Sequence, residues 1–216
     1  MMRAKVAVAT LQGKGYFLIV SELRHRRIPF ISLFPGDPVR SEIRVVITTK
    51  QEAPLISQSK VLVYDPDTDP EILGSEVVKA LQGKEVYETV VIGVDPGEVF
   101  GVAVIADGIV VDSDNCFSVK ETVDRIKSVM RTVDVAKSTV TIKVGGGVPI
   151  YKDLLEVLDE VLPPQVILEI VSEAGTDSHV GESHNRRGFR HIISAIRIAG
   201  RAGFLCPRGG IVEQES

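Results

Sequence analysis

Apolar residues in this chain cluster in short continuous runs, set apart by Gly, Pro and acidic residues, with stretches of three-to-four-residue spacing between them. Continuous runs of that kind read as buried strands, and the wider spacing reads as amphipathic helix. Ala4–Ala9 therefore predicts a strand, Gly15–Arg27 a helix, Pro29–Leu33, Ile43–Thr48 and Lys60–Tyr64 three further strands, and Pro70–Leu81 a second helix. The charged stretch from Lys84 to Glu88 breaks the pattern and marks a domain boundary. Beyond it come an apolar strand from Val90 to Asp95, a returning strand from Val102 to Ile105, and a third from Ile109 to Asp112 after the turn Ala106-Asp107-Gly108. A helix over Lys120–Ala136, a strand over Thr139–Val144, a helix over Val148–Val161 closed by Pro163-Pro164, a strand over Val166–Val171 and a helix from about Arg187 to Ala202 complete the order.

Strand and helix alternate throughout, so the expected class is α/β. The first part, residues 1–87, reads as a small Rossmann-like domain with a mainly parallel sheet flanked by helices. The second, residues 88–216, reads as an α/β domain with a mixed five-stranded sheet. Gln12-Gly13-Lys14-Gly15, between the first strand and its helix, reads as a turn; its free N–H groups could also take an anion, but the full phosphate-loop spacing is absent. The acidic segment Tyr64–Glu71 has two prolines and precedes a helix, which suits a loop with N-cap chemistry and not a calcium loop.

Composition alters this picture little. The chain is 44% hydrophobic and 25% charged, as ordinary globular proteins are. It has no 18-residue apolar run and no signal-peptide pattern, so a cytoplasmic location and no membrane partner are expected. Cys116 and Cys206 belong to no ligand or redox motif and read as reduced and structural. A net charge of −4 argues against a protein that coats nucleic acid through general basicity.

The candidate chemistry starts at Asp95. A strand running into an acid, followed by Pro96 and Gly97, presents a carboxylate at a strand end, and carboxylates gather at such places to hold divalent metals. The order of elements from Val90 onward, opening on Val94-Asp95-Pro96-Gly97, resembles the ribonuclease H-like fold, in particular its Holliday-junction-resolvase branch and the related YqgF-like proteins. The resemblance covers about residues 88–204. It implies a nuclease that uses Mg²⁺ or Mn²⁺ on structured DNA or RNA, with Asp95 as the first-strand acid. His191, in the stretch His191–Ala199, is similar to the first position of the family's last-helix motif, while Ser194 stands where an acid is expected. Lys143 and Val144 stand where a resolvase carries a fourth-strand acid. YqgF-like proteins also lack that acid and place a glycine-containing turn there, which Gly145–Gly147 resembles, and Glu173 matches the Glu of their fifth-strand pair.

The implied site is thus Asp95, Glu173 and His191, with Asp95 and Glu173 as metal ligands, His191 on the water, and Glu169 or Asp177 in reserve. Resolvases act as dimers, so a homodimer is the corresponding expectation. From Ser183 to Val212 the chain has six arginines, two histidines and no acid. Arg186, Arg190, Arg197 and Arg201 are spaced along one helix face, which reads as a phosphate footprint or as a solvated face paired with acids elsewhere. His179 and His184 are further candidate ligands in a loop. Phe100 and Tyr151 are the aromatics near the expected sheet end, which leaves little platform for base stacking. Two further readings accompany the nuclease: a non-catalytic nucleic-acid-binding or assembly module of the same fold, and a nucleotide-binding protein of actin-like ancestry, for which Gly13-Lys14-Gly15 is a poor second phosphate loop.

Overall fold

The computed structural model describes residues 4–58, 60–172 and 187–208. The chain divides into two compact units, residues 1–85 and 86–216.

The first unit is a four-stranded parallel sheet in the order β2-β1-β3-β4, with β1 at Val6–Ala9, β2 at Phe30–Leu33, β3 at Val45–Thr49 and β4 at Val61–Tyr64. The residues of β1 and β3 are buried throughout, as a central parallel pair requires. Helices α1 (Gly13–His25) and α2 (Pro70–Gln82) pack on each other and share one core with the sheet, through Ile19, Leu23, Leu73 and Val77. A separate cluster of Ala7, Ala9, Ile43 and Val46 is joined by Leu33, Val39 and Ile56. Asp69 accepts from the Glu71 N–H at 3.0 Å and Pro70 opens α2, which is the N-cap chemistry expected of that acidic segment. Gln12 is the N-cap of α1, so Gly13-Lys14-Gly15 forms the helix's first turn and not a free loop. Between the helices, Glu22 and Arg26 form a buried ion pair for which Gly74 leaves room; a Cβ there would lie 2.1 Å from Glu22 Oε1.

The second unit has a six-stranded mixed sheet in the order β10-β9-β8-β5-β6-β7. Its strands are β5 (Thr89–Asp95), β6 (Phe100–Ala106), β7 (Ile109–Cys116), β8 (Thr139–Gly145), β9 (Ile167–Val171) and β10 (Phe204–Leu205). Strands β5, β6 and β7 form the expected antiparallel meander, and β8 and β9 run parallel to β5. The two-residue β10 adds a sixth strand to the five expected, pairing antiparallel with β9 through Phe204–Ile170 and Leu205–Glu169. Helix α3 runs from Val119 to Arg131, shorter than predicted because Asp134 turns the chain, its side chain accepting from Ala136 N–H and its carbonyl from Lys137 and Ser138. Ser118 caps α3 on Glu121 N–H, and Glu121 returns a bond to Phe117 N–H. Helix α4 (Tyr151–Val161) starts after Pro149, and α5 spans Arg187–Ala199. Past β10, Arg208 pairs with Asp159 and donates to the carbonyls of Asp159, Leu162, Pro163 and Val166, binding the chain to the C-terminal end of α4.

The two faces of this sheet differ. One carries Val90, Ile92, Val94, Val102, Val104, Ile142, Val144 and Leu168, and packs with Val123, Ile126, Leu154 and Leu158 of α3 and α4. The other, alternating with it, carries Gly93, Asp95, Gly101, Ala103, Ser113, Asn115, Lys143 and Glu169, and receives α5. Helix α5 rests directly on backbone there. A Cβ built on Gly93 would lie 2.1 Å from the Ala195 carbonyl oxygen, and one on Gly101 would lie 2.1 Å from that of His191. Ala195 and Ala199 complete the small-residue contact.

Gly101→Ala and Gly93→Ala should therefore each destabilise the protein by roughly 1–3 kcal/mol or more, because backbone and not a flexible tip must yield. Gly13→Ala, where a Cβ meets nothing within 4 Å, should be neutral or stabilising by up to about 1 kcal/mol. Urea denaturation midpoints of the three variants check this contrast.

Candidate functional site

Asp95 is the last residue of β5, where Pro96 has no N–H to continue the ladder, and it lies in register with Gly101. Because Gly101 has no side chain, α5 settles on it and brings His191 to the same corner. His191 Nδ1 lies 3.6 Å from Asp95 Oδ2, with side-chain exposures of 30% and 17%. Two of the three residues implied by the resemblance are thus together at the strand end, half-buried, on the small and polar face of the sheet. His191 is in the second turn of α5, so the carboxylate sits toward the helix's positive end. At that separation the two groups lie just beyond hydrogen-bond reach.

The other named positions fall differently. Glu173, Asp177, His179, His184 and Arg186 lie outside the described residues. Lys143 lies in register with Gly93 on one side and Glu169 on the other. Its ammonium is 3.2 Å from Glu169 Oε2 and donates to the Arg201 carbonyl at 2.5 Å, just past the end of α5. The Lys143 ammonium thus holds the helix's C-terminal end, favoured there by the helix dipole. Glu169 is accordingly engaged with Lys143 and packed under Gly203. Ser194 is half-buried on α5. Gly146 N–H bonds to the Val171 carbonyl at 3.0 Å, so the glycine run turns β8 toward α4.

Arg190 and Arg197 lie on α5, Arg190 exposed. Arg201 lies beyond the helix end, half-buried, its guanidinium 3.5 Å from the Ser172 carbonyl oxygen. Phe100 is buried at 4% exposure; Phe189 on α5 is 51% exposed and Ile193, one turn on, 46%. Phe189 is not among the residues that the sequence singles out; its signal is an aromatic four residues before an isoleucine on the polar side of an otherwise apolar-faced helix. Among the described residues no group of three His, Cys, Asp or Glu is placed to hold a metal. Asp95 supplies one carboxylate at this corner, with the His191 imidazole beside it.

The first unit has a cluster that sequence patterning also leaves unmarked. At the C-terminal ends of its central strands, Glu52 accepts from Leu11 N–H at 2.7 Å and from Thr49 Oγ1 at 2.6 Å. This is the switch point between β1 and β3, where open α/β sheets bind ligands. Burial raises the Glu52 pKa, but bonds from Thr10, Thr49 and the Leu11 N–H outweigh that and hold the carboxyl below its ordinary value. In the second unit, burial pushes the Cys116 thiol up to about 11, as befits a structural cysteine.

Residues 5–87 match the family described as response regulator receiver-like domain, which accounts for the first unit but not for half of the chain. No curated protein matches. Similar solved structures include Marinitoga piezophila Argonaute with a 5′-OH guide RNA, at 11% identity and a TM-score of 0.28, and the same protein with guide RNA and target DNA, at 12% and 0.28. In both, 78% of this chain aligns with 39% of the Argonaute chain, so it spans well under half of that length. A likeness at that level carries neither fold nor activity across. No helix among the described residues is long and apolar enough to cross a membrane.

A carboxylate whose folded pKa is depressed stabilises the fold above its unfolded pKa and loses that contribution as pH falls through the folded value. Glu52→Gln should therefore lower stability at pH 7, and the gap to the parent should close as pH falls below the ordinary carboxylate range. Denaturation midpoints between pH 7 and pH 3 check this; a gap that is constant with pH rules out the Glu52 charge as its source.

Proposed function

We propose that the second unit is a ribonuclease H-like module of the resolvase and YqgF type, which binds structured nucleic acid and hydrolyses its phosphodiesters with one divalent ion. The approach of His191 to Asp95 at the end of β5 carries this reading. Asp95 and Glu173 would hold Mg²⁺ or Mn²⁺, which when bound polarises a phosphoryl oxygen and lowers the pKa of a water molecule. Asp95 supplies negative charge in a partly desolvated corner. His191 turns Nδ1 toward Asp95, leaving its other ring nitrogen on the far side to hold or pass a proton. Arg190 and Arg197, on the same helix, offer planar forks to phosphate oxygens. With the Lys143–Glu169 pair on this face instead of a further metal-binding acid, catalysis is expected to be slow.

That ion pair also favours a second reading, in which the module binds nucleic acid and no longer cleaves it. Asp95→Asn separates the two. In the nuclease reading it abolishes the calorimetric Mn²⁺ signal and the cleavage of branched DNA or structured RNA, with little change in melting temperature. His191→Ala should reduce cleavage by about 10²–10⁴-fold. Binding by the parent protein without cleavage or Mn²⁺ heat, on every substrate tried, selects the non-catalytic module.

The arginines are tested independently of the chemistry. Each phosphate contact on duplex DNA contributes about −0.9 to the slope of log affinity against log salt. Arg190→Ala combined with Arg197→Ala should flatten that slope by roughly two units. An unchanged slope would show that these arginines face something other than phosphates.

A further inference from the structure

The N-terminal end of the first unit's sheet is a basic surface. Lys5, Arg44 and Lys60 directly precede β1, β3 and β4, and all three are exposed. Parallel register sets them side by side. Val6 is level with Val45, so Lys5 lies beside Arg44, and the Lys5 carbonyl accepts from the N–H groups of Arg44 and Val45 at 2.8 and 3.2 Å. The Lys60 carbonyl accepts from Val46 N–H at 3.1 Å, which places Lys60 next in the row. Helix α1 brings its last turn, with the exposed Arg24 and His25, to the same end as it leads into β2.

Part of this charge has local work. Arg24 and His25 offset the negative end of the α1 dipole, and Arg44 donates to the Leu81 carbonyl at 3.3 Å near the end of α2. Lys5 and Lys60 have no such role, and among the described residues neither makes an ion pair. Glu42 is the one exposed acid within four residues in sequence of Lys5, Arg44 or Lys60. The acids of this unit gather at the opposite end, where Asp37, Glu52, Asp65 and Asp67 follow the strands and Lys14 pairs with Asp67.

The row selects its partner by size and polarity. Adjacent strands lie about 4.8 Å apart, so Lys5 and Lys60 are separated by two spacings, about 10 Å. A single phosphate or carboxylate cannot meet both, whereas a nucleic-acid strand carries one charge per about 3.4 Å of axis and presents about three over that length. Leu11, Phe34 and Leu55 are exposed but follow strands at the other end, so this surface has no apolar anchor for a membrane.

We infer that this end of the first unit is a second contact surface for nucleic-acid backbone, where Lys5, Arg24, Arg44 and Lys60 hold phosphates without reading sequence. It takes its partner class from the proposed function, which rests on the second unit, and adds a surface on the first.

The test uses the full-length protein, with metal omitted to prevent cleavage, and follows binding to a duplex of about 30 base pairs by fluorescence anisotropy across a salt series. Lys5→Gln, Arg24→Gln and Lys60→Gln combined should flatten the slope of log affinity against log salt by roughly two to three units. The same loss of charge at Lys50, Lys127 and Lys152, exposed lysines on other parts of the chain, should change it little. Lys5→Arg with Lys60→Arg should keep the parent slope, which separates charge from any effect on the fold. A triple variant with the parent's slope, or a control set that flattens it equally, overturns this surface and leaves the reading of the second unit to its own test through Arg190 and Arg197. Failure of the parent to bind the duplex at low salt overturns both. Vesicles with about a quarter phosphatidylserine run beside the duplex. If the triple substitution releases the protein from vesicles and leaves the duplex slope unmoved, the surface meets lipid and the inference fails.

Discussion

The second unit depends on one close contact: helix α5 lies on the bare backbone of β5 and β6 at Gly93 and Gly101. A side chain at either glycine would overlap a helix carbonyl oxygen, so there is no graded adjustment that keeps the helix in place. The consequences are local and specific. The seating over Gly101 sets His191 against Asp95, and at the other end the Lys143 ammonium takes the Arg201 carbonyl. The same contact explains why this face of the sheet is small and polar while the opposite face, packed by α3 and α4, holds most of the apolar core. Burial on one face supplies cohesion, and close approach on the other places chemistry.

The first unit stands on different terms. Its core is a sheet and two helices, with an ion pair, Glu22–Arg26, enclosed between the helices over Gly74. Enclosing that pair costs desolvation of both charges, so it constrains how the helices meet more than it adds cohesion. At the switch point the Glu52 carboxylate accepts from the Leu11 N–H and the Thr49 hydroxyl.

Much of the fold is legible in the sequence because its strands are continuous apolar runs bounded by Gly, Pro and Asp. The meander from Val90, the parallel strands that follow it and the Asp69-Pro70 start of α2 are all of that kind. Boundaries fare worse where short-range bonds override periodicity, as when Asp134 ends α3 early and Gly13 joins the first turn of α1. Within the candidate site, the strand-end position of Asp95 is legible in the sequence, and its meeting with His191 follows from two strand glycines whose role the linear pattern conceals until α5 is placed over them. Lys143 shows the opposite case. A lysine in a buried strand reads as a missing acid, and only the register with Glu169 and the end of α5 reveals its partners.

The divalent-ion site we propose is Asp95 with His191 beside it, brought together by the glycine-seated helix. Crystals soaked in Mn²⁺ test it most directly through the anomalous difference map. A peak within coordination distance of an Asp95 carboxylate oxygen, adjacent to the His191 ring, is the predicted result, and Asp95→Asn crystals should lack it. A well-ordered corner with α5 in place and no peak at Asp95, or with manganese bound elsewhere only, would contradict the account.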